Sequence, residues 1–492
     1  MSRSLLTTTI PYVNAPPHLG FALEIVQADV LARHGRQLGD DVRFATGTDD
    51  NSLKNVLAAE SSGVSTRELV DRNAAAFAAL RGPLALSYDT FTRTSGNDDH
   101  RRGVELLWQA CAANGDLYRK HYEGLYCVDC EQFYPPAELV AGRCPEHGTP
   151  PRPVAEENWF FRLSRYGERL RELIADGRLC IEPVARRNEV LSFLSAGLVD
   201  LSISRSAARA RGWGIPVPGD PDQVVYVWWD ALANYVTGLG FGGPDDAAYG
   251  RWWVAGDQRV HLVGKGVVRF HAVYWPAMLL SAGLPLPTAI LVHDYLTMDG
   301  RKIGKSTGNG VDPVGLVRRY GTDAVRWWLL RDVPRIGDAD FTVCRLVARA
   351  NQDLAGGIGN LVHRVVTMVH RYRAGQVPPW HGEPLAECRR APALVRAALA
   401  AYDFRGAAGA VFAIVDAANR FVEDARPWRL AAEEREGAAR ELDRVLGVLL
   451  DACRVLGEQL APLLPTAAEA IATRCTPVGG LLPVPRPLFP RW

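Results

Sequence analysis

Residues 5–39 read "LLTTTIPYVNAPPHLGFALEIVQADVLARHGRQLG", and the reading of this stretch decides the fold. Residues 5–10 are β-branched or apolar and stop at Pro11, the pattern of a buried strand. From Leu19 onward apolar residues recur at helical spacing until Gly39, the pattern of an amphipathic helix. Residues 41–50, "DVRFATGTDD", then read as a second strand that closes in a polar turn. Strand, helix and strand in so short a span predict a right-handed βαβ unit and a parallel sheet. Ligands on such sheets sit beyond the strand C-termini, where the turns around His18 and Asp49 are expected.

A chain of 492 residues exceeds one core and predicts about three domains. Its 48% hydrophobic and 23% charged residues are those of an ordinary globular protein. A net charge of +1 excludes an overall basic field, so any nucleic-acid contact needs a local basic face. The N-terminal "MSRSLLTTTIPYV" has no apolar core of signal-peptide length, and no run of about 18 apolar residues predicts a membrane span. Nine cysteines, scattered except for one cluster, favour a reducing cytoplasm and a metal site over a disulfide framework.

Residues 115–155 read as a loop-rich insertion with clustered Cys, Gly and Pro. Alternating β and α signals resume at "VVYVWWDAL" and "RVHLVGKGVVRFHAVYWPAML". From Cys344 to Thr473 apolar residues recur every three to four positions and Pro or Gly ends each run, as in an all-helical domain. The expected plan is an α/β Rossmann-type catalytic domain in two halves, 1–114 and 156–340, interrupted by an insertion at 115–155. A helical domain at 341–475 and an irregular, Pro-rich tail at 476–492 follow. There is no internal repeat.

Four constellations could carry chemistry. In "PPHLG", Gly20 before a helix lets backbone N–H groups approach a phosphate, and His18 can donate to its oxygens. A lone His-x-Gly is more often a turn and a cap. In "DGRKIGKSTGN", residues 299–309, Lys302 and Lys305 can place point charges on a triphosphate from a loop that Gly304 and Ser306 keep mobile. A solvated basic turn is the plainer reading of that stretch. Cys127-x2-Cys130 and Cys144-x2-His147 have the spacing of a closed tetrahedral zinc site, with Gly124, Gly142 and Gly148 supplying turns. Finally, "YVWWDALANYV" and "GKGVVRFHAVYWPAML" set aromatics beside Asp230 and His271, which by themselves read as buried core.

In their order along the chain these motifs resemble the methionyl-tRNA synthetase family of class I aminoacyl-tRNA synthetases, from Leu6 to about Pro465. "TIPYVNAPPHLG" is similar to the family's first signature and "TGTDD" to its second strand end. "EGLYCVDCEQFYPPAELVAGRCPEHG" resembles its single zinc knuckle. "NEVLSFL", "DLSISR" and "WGIPVP" resemble its connecting segments, "KIGKSTGNGVDP" its KMSKS loop and "ANRFVEDARPW" its anticodon-domain helix.

The resemblance implies ATP-dependent activation of methionine as an adenylate, with magnesium, followed by transfer to tRNA. Asp49 would hold the substrate ammonium. Ile10, Tyr12, Trp228, Ala231, Leu232, Tyr235, Val267 and His271 would line the side-chain pocket, where a polarizable thioether packs well against aromatics. His18, Gly20, Glu24, Gly264, Lys265, Lys302, Lys305 and Ser306 would serve ATP, with His18 and the two lysines acting in catalysis. Cys127, Cys130, Cys144 and His147 would hold structural zinc, and Asn419, Arg420 and Trp428 would meet tRNA.

The chain departs from the family at four places on the nucleotide side. The second His of the first signature is Phe21, Gly-Lys-Asp is Gly264-Lys265-Gly266, the Met-Ser of KMSKS is Ile303-Gly304, and Glu-His-Gly is Asp50-Asn51-Ser52. The side-chain pocket is almost fully retained. No later base-stacking tryptophan follows Pro465 in the expected manner; stacking is worth about 1–3 kcal/mol per base. Three readings follow: a divergent methionine–tRNA ligase, a synthetase-like enzyme delivering an activated amino acid to a small-molecule amine, hydroxylamine or carrier, and a non-catalytic pseudo-synthetase.

Overall fold

The computed structural model describes residues 2–96, 98–128, 131–146, 148–304, 310–380, 382–433 and 435–492. The chain divides into two compact units, one of residues 1–17, 39–80 and 87–294, the other of residues 18–38, 81–86 and 295–492. Among its first elements are β1 (Arg3–Thr8), α1 (Leu19–Gln37), β2 (Asp41–Thr48), β3 (Thr90–Arg93) and α2 (Asp98–Ala113). Next come β4 (Leu117–Cys127), β5 (Gln132–Tyr134), β6 (Arg152–Phe161), β7 (Cys180–Glu182) and α3 (Val184–Ser195). They are followed by β8 (Leu201–Ser202), α4 (Val227–Thr237), β9 (Gln258–Gly264) and β10 (Ala289–His293).

The first unit is built on a six-stranded sheet in the order β3-β2-β1-β9-β10-β7, with every pairing parallel. Both central strands are buried continuously, β1 from Ser4 to Thr8 and β9 from Val260 to Val263, as expected of a sheet covered on both faces. Strand order reverses between β1 and β9, and such a reversal opens a crevice beyond the strand C-termini. Thr7 pairs with His261 in that register, and Gly264 pairs with His293 one strand further.

The insertion differs from the loop-rich expectation. β4 and β6 form a long antiparallel ladder running from Leu117 opposite Phe161 to Tyr126 opposite Arg152, within a sheet ordered β5-β4-β6-β8. One face of β4 carries Tyr118, Tyr122 and Tyr126, which pack edge-on or tilted against Phe133 and Phe160 at 4.9–5.8 Å. Arg119, His121 and Glu123 fall on the opposite face while Lys120 shares the tyrosine face and lies 5.6 Å over the Phe160 ring, and this run of charge disguised the strand. Gly124, expected in a turn, lies inside β4 opposite Val154, where a Cβ would meet the Tyr122 ring at 2.5 Å. Gly142 and Gly148 do occupy turns with positive φ.

The second unit contains α1 and a small sheet of β11 (Leu296–Met298), β12 (Arg301–Lys302) and β13 (Ala339–Asp340). It also holds helices α5 (Pro313–Tyr320), α6 (Thr322–Arg331), α7 (Asn360–Arg373), α8 (Ala386–Ala400), α9 (Phe404–Ala425), α10 (Glu436–Leu460) and α11 (Pro465–Cys475), among others. α10 buries Leu442, Val445, Leu446, Leu449, Cys453, Leu456 and Leu460, the three-to-four spacing of an amphipathic helix. Asp29 of α1 and Arg326 of α6 form a fully buried pair at 2.8 Å. Arg326 also donates to the carbonyls of Leu84, Pro462 and Leu463, so the buried guanidinium is satisfied. Among the described residues no helix is long and apolar enough to cross a membrane.

Candidate active-site residues

In the first unit the end of β2 delivers a buried carboxylate. Asp49, 1% exposed, forms an isolated parallel bridge with Tyr12, and its N–H donates to Pro11 O at 3.0 Å. The Asn51 N–H donates to Asp49 Oδ1 at 3.1 Å. Burial raises the Asp49 carboxyl well above its ordinary value, and the nearby charge of Asp230 raises it further, with smaller effects from Glu131 and Asp50. A buried carboxylate short of positive charge is a receptor for an ammonium group.

A chain of buried hydrogen bonds stands behind it. Asn51 Nδ2 donates to Asp230 Oδ2 at 2.7 Å, and His100 Nε2 meets Asp230 Oδ1 at 2.5 Å. His100 Nδ1 reaches Thr237 Oγ1 at 2.6 Å. Ser52 Oγ donates to Glu131 Oε1 at 2.5 Å, and the Tyr126 hydroxyl donates to Glu131 Oε2 at 3.3 Å. Sequence reasoning missed His100, Thr237 and Glu131. The signal was weak, because a histidine after two aspartates at a helix start looks like solvated surface.

The aromatic pocket forms from α4 and the segment after β9. Trp228 stacks on Phe270 at 3.8 Å and meets Tyr12 and His271 edge-on at 6.3 and 6.2 Å. His271 Nδ1 lies 2.9 Å from Val267 O, so that nitrogen carries the proton, and Nε2 accepts from the Tyr235 hydroxyl at 2.8 Å. Tyr235 packs on the His261 ring at 4.1 Å, and His261 Nδ1 meets Thr7 Oγ1 of β1 at 2.6 Å. Ala231 and Leu232 are buried on α4, and Ile10 lies just beyond β1. All eight of the predicted pocket residues thus lie in the first unit, with Asp49 at a strand end. Gly264 ends β9 and Lys265 follows it, with Lys265 Nζ 3.8 Å from Asp294 Oδ1.

In the second unit His18 is the N-cap of α1, and its Nδ1 accepts the Gly20 N–H at 3.1 Å. That bond leaves the proton on Nε2, so His18 presents an N–H donor. A Cβ on Gly20 would meet His18 Cε1 at 2.9 Å, so a larger residue there would displace the capping imidazole. The Leu19 N–H donates to Val311 O at 2.9 Å. Glu24 is buried on α1. Phe21, 7% exposed, is packed into the second unit. Lys302 lies over the Tyr295 ring at 3.5 Å, and Ile303 is buried, with its N–H donating to Leu296 O at 2.8 Å. Lys305 and Ser306 lie outside the described residues.

Cys127 and Cys144 are buried in one small cluster with Tyr134, against which Leu139 packs. Cys127 Sγ is 3.7 Å from Thr149 Oγ1. Cys130 and His147 lie outside the described residues, and among the described residues no group of three or more metal-ligating side chains gathers. Two buried thiols on a turn-rich knuckle fit a zinc donor set. On α9, Asn419 is half-buried, while Arg420 is exposed and pairs with Glu387 at 3.3 Å. Trp428 is 42% exposed, with Arg364 5.8 Å above its ring.

The sequence model described as tRNA synthetases class I (M) matches residues 4–152 and 147–366. The chain belongs to this methionyl branch of the class I tRNA synthetases. The methionine–tRNA ligase of Brucella melitensis is 39% identical over 520 aligned positions, covering 100% of this chain and 99% of that protein. That of a Nostoc species is 41% identical, covering 95% of this chain and 88% of its relative. A crystal structure of Mycobacterium tuberculosis methionyl-tRNA synthetase bound by methionyl-adenylate matches with a TM-score of 0.92 at 38% identity, over 99% of this chain and 100% of that one. The free form of the mycobacterial enzyme matches with a TM-score of 0.85 at 36% identity, over 100% of this chain and 98% of that one. Membership in the family covers the α/β parallel-sheet architecture. Phe21 and Gly266 thus stand within the stretch of chain that shares the fold of the mycobacterial enzyme.

Proposed function

We propose that this chain is a methionine–tRNA ligase that activates methionine with ATP and transfers it to tRNA in the cytoplasm. The observation that carries the reading is Asp49: a carboxylate 1% exposed at a parallel-strand end, beside an aromatic wall of Tyr12 and Trp228. Asp49 holds the ammonium, and Ile10, Tyr12, Trp228, Ala231, Leu232, Tyr235, Val267 and His271 enclose the thioether. The substrate carboxylate attacks the α-phosphorus, and pyrophosphate leaves with magnesium. His18 Nε2–H, Gly20 and the first turn of α1 serve the phosphates, Gly264, Lys265 and Glu24 border the nucleotide, and Lys302, Lys305 and Ser306 follow the leaving group. Asn419, Arg420 and Trp428 serve tRNA recognition. Cys127, Cys130, Cys144 and His147 hold a zinc ion that fastens the knuckle. The domain plan of a split catalytic domain, a knuckle at 115–155, a helical domain at 341–475 and a tail at 476–492 belongs to the same proposal.

The test is charging of total tRNA with labelled methionine by purified protein, ATP and magnesium, alongside methionine-dependent pyrophosphate exchange. Charged methionine isoacceptors support the proposal. Exchange without charging moves the acceptor to a small molecule or carrier, and absence of both removes the activation step.

A further inference from the structure

Three charged side chains meet beyond the ends of three neighbouring parallel strands, and two of them, Arg186 and Asp294, have no role above. Asp294 follows β10 directly and is 7% exposed. Arg186, in the first turn of α3 after β7, donates through Nη2 to Asp294 Oδ1. Lys265, the first residue after β9, places Nζ 3.8 Å from the same oxygen. β9, β10 and β7 are adjacent in the sheet, with Gly264 opposite His293 and Leu291 opposite Glu182. The cluster therefore lies at the C-terminal edge, where parallel sheets bind nucleotides.

A carboxylate at that edge repels phosphate and accepts hydrogen bonds. The ribose of a nucleotide offers two hydroxyl donors, and carboxylates beyond strand ends take ribose hydroxyls in dinucleotide-binding sheets. The residue beside Lys265 that could otherwise carry an acceptor is Gly266, which has no side chain. Two cations approaching Oδ1 fix the Asp294 carboxylate from one side. We propose that Asp294, held by Arg186 and Lys265, receives the ribose hydroxyls of the bound adenine nucleotide in place of an acceptor at residue 266. The inference rests on the adenylation reading and deepens it: Asp294 becomes a determinant of ribonucleotide preference.

The test is a cycle that deletes either the carboxylate or the hydroxyls. Calorimetry measures binding of ATP and of 2′,3′-dideoxy-ATP, with magnesium, to the full chain and to Asp294→Asn. Hydrogen bonds to a charged group predict that Asp294→Asn weakens ATP about ten- to a hundredfold and dideoxy-ATP less than about threefold. Equal weakening of both nucleotides, or of neither, overturns the proposal, because a merely structural ion pair would not distinguish them. A second variant, Asp294→Gly with Gly266→Asp, returns a carboxylate beside Lys265. It is expected to regain the preference for ATP over the dideoxy nucleotide that Asp294→Gly loses, and failure to regain it counts against interchangeable acceptors. Binding with a ribose preference but without methionine-dependent pyrophosphate exchange sustains this inference while removing the activation reading. Binding of both nucleotides equally by the unaltered chain removes the inference alone.

Discussion

Methionine binding should release a proton and strengthen with rising pH, because Asp49 is poised to gain a charge partner. Its carboxyl sits well above the ordinary value of 3.8 in the ligand-free protein, through burial first and the charge of Asp230 second. An ammonium group needs the ionised form. Below the raised pKa each bound methionine must displace one proton, so affinity gains about tenfold per pH unit, or roughly 1.4 kcal/mol. Above it the affinity levels off until the methionine ammonium itself deprotonates. The same group makes the empty protein pH-sensitive. A raised folded-state pKa gives stability that is fully present below about 3.8 and is lost as pH rises through the folded value. Asp49→Asn should therefore stabilise the empty protein at neutral pH while weakening methionine by about 1.5–3 kcal/mol, the worth of a charged hydrogen bond. Calorimetry in buffers of different ionisation enthalpy reads the released proton directly. A proton count of zero across the acidic range, with pH-independent affinity, would refute the assignment of Asp49 to the ammonium.

Three further outcomes follow from the geometry. His100→Ala removes one of the two side-chain partners of buried Asp230, leaving Asn51, and leaves Thr237 Oγ1 without its ring partner, so it should cost about 1–3 kcal/mol in denaturant unfolding, whereas His100→Gln should cost clearly less. Lys302→Ala should lower the turnover of pyrophosphate exchange about 100- to 1,000-fold yet change unfolding free energy by less than about 0.5 kcal/mol, since the side chain is exposed over Tyr295. Metal analysis should find one zinc per chain, lost in Cys127→Ser, with a chelator lowering the protease resistance of the β4–β6 knuckle; a metal-free native protein would sink that assignment.

The legible parts of the fold were those with a single unambiguous period. α1 shows three-to-four spacing after the apolar and β-branched run of β1, and the helices from α7 to α11 repeat that spacing. β4 was not legible, because tyrosines alternating with Arg, Lys, His and Glu read as polar loop until the partner face on Phe133 and Phe160 is known. Asp49, Trp228 and His271 could be named from local motifs. The support behind Asp49 could not, because His100 meets Asp230 and Thr237 across 130 and 137 residues of chain. The same holds for Arg186 and Asp294, which are 108 residues apart and carry no motif. Buried polar residues on otherwise charged segments leave no periodic trace, so only the tertiary fold brings them together.

Phe21 bears on whether the phosphate-handling turn still works. The cap bond from Gly20 fixes the proton of His18 on Nε2, giving one preset donor at the N-terminus of α1. The helix adds the positive end of its dipole, which does not depend on the side chain at residue 21, while its first N–H groups are already bonded, that of Leu19 to Val311 O and that of Gly20 to His18 Nδ1. Phe21 is buried, so it contributes packing where an imidazole would have contributed a second donor. Losing one such donor costs about 3 kcal/mol of transition-state stabilisation, or roughly a hundredfold in rate. Rate enhancements of many orders of magnitude tolerate that loss. Under the proposed function, the turn "PPHLG" serves phosphate with one imidazole donor and runs about a hundredfold slower than a two-histidine version.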